Sequence, residues 1–135
     1  MLNLEKPSLF ERAGSGSELN LIFGECAACH QLHFPKTGYG CPRCGARPEE
    51  VLAVSRPGRA TLLSFVTLHA RLTPSLEVPC VVGEAEIAPG LIEEIMLSGA
   101  AEQYQDGMKI TARAEPVERD GETVLACRFA PAEEA

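Results

Sequence analysis

The sequence predicts a mainly β chain in two parts, a cysteine-pinned ribbon followed by a small five-stranded barrel, with a short helix ahead of both. Three observations carry this reading. Four of the six cysteines stand in two brackets of equal inner spacing, Cys26-x2-Cys29 and Cys41-x2-Cys44. Beyond Pro57 the texture changes to short apolar runs divided by turn signals. With 135 residues and an apolar fraction of 45%, the chain has room for one ordinary domain or one small core plus a stapled module, and two full-sized domains are excluded. Aromatics are scarce at 5% and tryptophan is absent, so the core must be aliphatic.

Residues 1–18 form the first segment. Ser8 followed three residues later by Glu11 has capping-box spacing and Gly14 is a helix stop, which predicts a short helix over residues 9–13. Such a helix is marginal alone. The stretch GSGSE then reads as a flexible joint leading to an apolar strand over residues 19–23, which enters the cysteine module of residues 19–57. The last segment, 58–135, holds five predicted strands: 60–69, 79–87, 91–97, 108–115 and 123–129. Their separators are Thr73-Pro74-Ser75, Pro89-Gly90, residues 98–107, and Asp120-Gly121. The last of these is a strong hairpin signal, since both central positions of a tight β-turn favour positive φ. A helical turn is expected at residues 100–105. Five antiparallel strands with an extra element between the third and fourth have the layout of an OB-fold, and a β-sandwich fragment is the alternative. There is no internal repeat.

The brackets are separated by eleven residues. Each pair can turn back so that two sulfurs face one point, and the intervening hairpin brings the second pair round to complete a tetrahedron. Four thiolates suit Zn²⁺, while iron in a rubredoxin-like site is the competing occupant. A site ligated only by cysteine leaves no position for water or substrate, so the metal reads as structural. Glycine after the second cysteine of a bracket supplies positive φ and aims amide N–H groups at sulfur. Gly45 fulfils this after Cys44, and His30 stands in the equivalent place after Cys29. The fold class is therefore a short helix, a rubredoxin-like zinc ribbon and a five-stranded OB barrel.

Charge divides unevenly along the chain. Up to Pro57 there are six Lys/Arg and six Asp/Glu; from Gly58 onward there are six against thirteen. An acidic barrel repels nucleic-acid phosphates, so no nucleic-acid partner is expected. The start of the chain has neither a basic leader nor a long apolar run, and nothing approaches a membrane span; a cytoplasmic, reducing setting is expected, where bracketed cysteines favour metal over disulfides. Cys80 and Cys127 lie in apolar strands and read as inert core thiols. His33, Phe34 and Tyr39 read as one aromatic cluster capping the metal site, or as an interface anchor at the loop tip.

The combination of Cys26-x2-Cys29, Phe34-Pro35-Lys36, Cys41-Pro42-x-Cys44-Gly45, Gly58-Arg59-Ala60-Thr61, Ser64-Phe65-x-Thr67, Gly107-Met108 and Phe129-x-Pro131 resembles the zinc-ribbon and OB-fold family catalogued as domain of unknown function 35. The resemblance runs from about Leu9 to Pro131. His30, Ala60 and Cys80 depart from its usual residues, and none of them is a metal ligand. The resemblance implies a non-catalytic accessory subunit of a thiolase-like complex. A larger thiolase-fold partner would supply the catalytic groups for thiolysis, condensation or aldol cleavage of a CoA thioester, of benzoylsuccinyl-CoA, steroid side-chain or acetoacetyl-CoA type. On that reading Cys26, Cys29, Cys41 and Cys44 hold Zn²⁺, while Lys36, Arg43, Arg59 and Phe34 are candidates for contact with coenzyme A or the partner, the cations through charge-assisted hydrogen bonds to phosphate. Two other classes compete. A single-stranded nucleic-acid binder needs aromatic platforms in a basic groove, and an independent thiol enzyme needs an exposed, activated cysteine.

Overall fold

The computed structural model describes residues 4, 6–7, 9–14, 16–36, 39–70, 78–119 and 121–132. These residues build two sheets and almost no helix. The first sheet is centred on β2 (Leu19–Cys26). Along one edge β2 pairs antiparallel with β4 (Val51–Pro57), from Asn20 opposite Pro57 to Cys26 opposite Val51. Its other edge is shared by β1 (Phe10–Arg12) and β3 (Leu32–His33).

The helix expected over residues 9–13 is therefore not formed: residues 10–12 are a strand. A one-turn helix gains too few hydrogen bonds to offset its nucleation, whereas the edge of β2 offers a ready ladder. Phe10 sits opposite Leu21, Ile22 donates its amide to the Leu9 carbonyl at 2.9 Å, and Ala13 donates to Glu18 at 3.0 Å. The capping residue invoked for the helix, Ser8, lies outside the described residues, as do the turn at 73–75 and Asp120 of the hairpin.

The second sheet closes into a barrel of five strands: β5 (Arg59–Leu68), β6 (Cys80–Ala88), β7 (Leu91–Leu97), β8 (Lys109–Arg119) and β9 (Glu122–Pro131), in the order β5-β6-β7-β9-β8. Each arises from one of the five apolar runs. All neighbours are antiparallel except β7 and β9, which run parallel and share a single rung, Leu97 opposite Phe129. The extra element between β7 and β8 is a single 3-10 turn, Ala101–Gln103, whose Gln103 side chain accepts the Ala100 amide at 2.9 Å. Gly107, at φ +87°, lets the chain enter β8 while its amide donates to the Leu62 carbonyl at 2.6 Å.

Period-two alternation joins the two sheets. Leu19, Leu21 and Phe23 of β2, each 1% exposed, share one apolar core with barrel residues Leu62, Ile110 and Ala112. Gly58 is the crossing point between β4 and β5. Its amide donates to the Leu19 carbonyl at 3.0 Å, and an added Cβ would stand 2.5 Å from that oxygen and 2.6 Å from the Ala112 Cβ, so no larger residue fits.

Closure between β7 and β9 depends on Tyr104, 4% exposed, whose hydroxyl lies 2.5 Å from the Ser98 carbonyl and 3.1 Å from that of Phe129. Burial pushes its pKa up, which keeps it a donor. Tyr104→Phe should cost about 1–2 kcal/mol, the usual effect of leaving buried acceptors without their donor, seen as a lower denaturant midpoint at unchanged m.

Candidate metal centre and adjoining cavity

Two near-identical knuckles bring the four cysteines together. In the first, the Cys26 amide donates to Gln31 at 3.1 Å and the His30 amide to the Cys26 carbonyl at 2.8 Å; in the second, Cys41 donates to Ala46 at 3.0 Å and Gly45 to Cys41 at 3.1 Å. Both residues that follow the second cysteine take positive φ, +62° at His30 and +77° at Gly45, as the spacing requires. The turns aim amides at sulfur: Cys29 N–H lies 3.4 Å from Cys26 Sγ, and those of Arg43 and Cys44 lie 3.4 and 3.5 Å from Cys41 Sγ.

All four sulfurs fall within 4.8 Å of one another, with Cys26–Cys44 and Cys29–Cys41 each at 3.6 Å. These separations are too long for S–S bonds of about 2.05 Å. They match the edge, about 3.8 Å, of a tetrahedron with Zn–S bonds of about 2.3 Å. The electrostatics point the same way. Amides of Cys44 and Arg43 draw the Cys41 thiol down to about 6 against the opposing effect of burial. The Ala46 amide also favours the Cys44 thiolate, but the neighbouring Cys26 and Cys29 sulfurs and burial together push that thiol up to about 12. Sulfurs this close cannot all carry charge unless a cation sits among them, so the donor set fits a metal such as zinc.

The other candidates are dispersed. Lys36, Arg43 and Arg59 are exposed on three different elements: the loop after β3, the second knuckle, and the start of β5. Arg43 Nη1 donates to Gln31 Oε1 at 3.1 Å, tying one knuckle to the other. His33, Phe34 and Tyr39 do not form one cluster. Tyr39 is 96% exposed, whereas His33 is buried with its ring against Gly24, which has no Cβ to obstruct it. Phe34 points to the sheet junction, its ring centroid 5.4 Å from Phe23 and 6.3 Å from Phe10. This aromatic trio covers the ribbon face that packs on the core shared with the barrel.

Below the junction lies a cavity of about 710 Å³ between the ribbon sheet and the barrel. Phe10, Leu21 and Phe34 cover it from the ribbon side, and Phe65, Ile95 and Cys127 line it from the barrel. Sequence reading missed it, because its walls come from six strands distant along the chain. Cys127 is half-buried here, and burial pushes its thiol up to about 12 although Arg128 and Lys6 act in the opposite sense. Among the described residues, no helix is long and apolar enough to cross a membrane.

No known protein-family profile matches the chain. A solved chain of the Ltp2-ChsH2(DUF35) aldolase superposes with TM-score 0.60 at 28% identity, covering 83% of this chain and 84% of that one. That neighbour carries the DUF35 name. The likeness agrees with the family resemblance carried by the motifs. The chain is also 30% identical over 110 residues to a Thermomonospora curvata protein named "Probable enoyl-CoA hydratase alpha subunit". That alignment takes in 81% of this chain but only 33% of the curated relative's length.

Proposed function

We propose that this chain is a DUF35-type accessory subunit, a zinc ribbon joined to an OB barrel, which serves a thiolase-like enzyme acting on CoA thioesters. The observation that carries this reading is the near end-to-end likeness to a chain of the Ltp2-ChsH2(DUF35) aldolase. The hydratase-subunit name of the curated relative supports the same acyl-CoA chemistry. Cys26, Cys29, Cys41 and Cys44 would hold Zn²⁺, and with all four positions taken by sulfur the metal supplies rigidity rather than chemistry. The stiff second knuckle then presents the exposed Arg43 in a fixed position, with Lys36 on the loop after β3 and Arg59 at the start of β5 as further contacts, and such preorganisation lowers the entropy lost on docking to a larger chain or to CoA phosphates. The catalytic groups would come from the partner.

The test is purification of the tagged chain from its native cells, followed by thioester turnover assays. A co-purifying thiolase-fold protein whose turnover falls when this chain is withdrawn supports the reading. Thioester turnover by the isolated chain, or salt-sensitive oligonucleotide binding, overturns it in favour of a thiol enzyme or a nucleic-acid binder respectively.

A further inference from the structure

The ribbon sheet has one long open edge. The barrel is closed, and the far side of β2 is covered by β1 and β3, strands of three and two residues that offer little to a second chain. β4 is different: it runs for seven residues and pairs only with β2 among the described residues. Its ladder passes from Asn20–Pro57 to Cys26–Val51 without a bulge. The run Val51-Leu52-Ala53-Val54-Ser55 carries no charge and no proline, and Leu52 is 56% exposed. Sheet edges are ordinarily blunted by a central charge, a mid-strand proline, a bulge or a covering element. An edge with none of these among the described residues is open to pairing.

The groups left open can be assigned. Ala27 donates its amide to the Glu50 carbonyl at 2.8 Å and Gly58 to that of Leu19 at 3.0 Å, while Ile22 turns its amide the other way, to Leu9 at 2.9 Å. The main-chain groups of Leu52, Val54 and Arg56 therefore bond to β2, and those of Ala53 and Ser55 face outward with the Val51 carbonyl. The Val51 amide is taken by Pro48.

An antiparallel strand can pair with its own copy about a two-fold axis, the commonest symmetry of soluble dimers. With the axis at Ala53 the outward groups meet: Ala53 exchanges both N–H···O bonds with its copy, and each Ser55 amide reaches the Val51 carbonyl across the axis. Residues directly opposite share a face. Leu52 then stands against Val54, apolar on apolar, and Arg56 stands against Glu50, both of them exposed. Arg56 lies 3.9 Å from Glu25 of its own chain, and its five N–H donors leave capacity for a second carboxylate. Moving the axis to Leu52 or Val54 would set Arg56 against Pro48 or Leu52 instead. Charge thus selects one register.

We propose that β4 is the interface of a two-fold dimer of this chain, with Ala53 on the axis and a Glu50–Arg56 pair at either end. The two four-stranded ribbon sheets then become one continuous sheet. The proposal is independent of the accessory reading, because it concerns how the chain meets its own copy and not which enzyme it serves.

The test follows the metal-loaded full chain by sedimentation equilibrium from low to high micromolar concentration, with amide exchange measured at both ends of the range. A seven-residue edge makes a small interface, so a concentration-dependent dimer is expected rather than a permanent one. The Ala53 and Ser55 amides should exchange freely in the monomer and gain protection in the dimer, while that of Leu62 is protected in both. Glu50→Arg sets arginine against arginine and Arg56→Glu sets glutamate against glutamate, and each should weaken self-association about tenfold or more. Mixed, these two variants should pair with each other in preference to themselves, read by native mass spectrometry. Ala53→Pro removes an outward amide without touching the β2 ladder and should abolish association; Leu62 protection reports its folding, and the charge variants carry the test if it does not fold. The proposal is overturned if the chain stays monomeric at high micromolar concentration, if a dimer forms with Ala53 and Ser55 unprotected, if the folded Ala53→Pro chain dimerises unchanged, or if the mixed variants show no preference for each other. Protection of those amides only when a co-purified catalytic protein is bound also overturns it, in favour of a strand from that protein. A chain that stays monomeric leaves the co-purification result untouched, and a dimer that purifies with no catalytic partner removes the accessory reading alone.

Discussion

Stripping the metal should unfold the two knuckles and leave the barrel standing. The knuckles have almost no apolar core of their own: their buried cluster is Cys26, Cys41 and Val51, with only Ala46 packed against it. Three small residues cannot offset the ordering of some two dozen. In small sites of this type the metal supplies about 10–16 kcal/mol of folding free energy, far more than that cluster can replace. The barrel-facing half of β2 has a different source of stability, because Leu19, Leu21 and Phe23 belong to the main core. After chelation, hydrogen exchange should therefore show full loss of protection at the His30 and Gly45 amides, while those of Leu62 and Ala112 stay protected. Cys41→Ser should give the same pattern without chelator. If protection in the barrel collapses together with that in the knuckles, ribbon and barrel form one cooperative unit; if the knuckles stay protected, metal is not what holds them.

The parts of this architecture that were legible in sequence are those encoded locally. Bracket spacing, together with Gly45 and His30, fixes a sulfur tetrahedron without reference to the rest of the chain. Turn signals such as Pro89-Gly90 delimit barrel strands whose ends move by only a few residues in the structure. Legibility fails where a distant partner decides. Residues 9–13 carry a helix-start pattern, yet the edge of β2 turns Phe10 to Arg12 into a strand. The stretch from Pro48 to Pro57 reads as the exit from the cysteine module, although Val51 to Pro57 pairs with β2 from Cys26 back to Asn20. The basic residues were legible as charges but not as a group, since nothing in their spacing says that Lys36, Arg43 and Arg59 stand on three separate elements. The cavity between ribbon and barrel was beyond sequence reading altogether, because its walls come from six strands distant along the chain.

The same reasoning singles out Phe23 as the side chain whose loss should cost most outside the metal site. It lies on the central strand of the ribbon, 1% exposed, with its ring packed on Phe34 and its face in the core shared with the barrel. Truncating a fully buried phenylalanine removes its transfer free energy and leaves a void, together about 3–5 kcal/mol, against a total of about 5–15 kcal/mol for an ordinary domain. Phe23→Ala should thus lower the denaturant midpoint by a large fraction and, because β2 continues directly to Cys26, speed release of the metal to a competing chelator. Metal stoichiometry of the folded variant should stay at one, since no ligand is touched. Phe34→Ala, whose side chain is only half-buried at the lip of the cavity, should cost less. The order of these two effects decides whether the junction is held through β2 or through the loop: a larger loss for Phe34 would mean that the loop, and not the central strand, fastens the ribbon to the barrel.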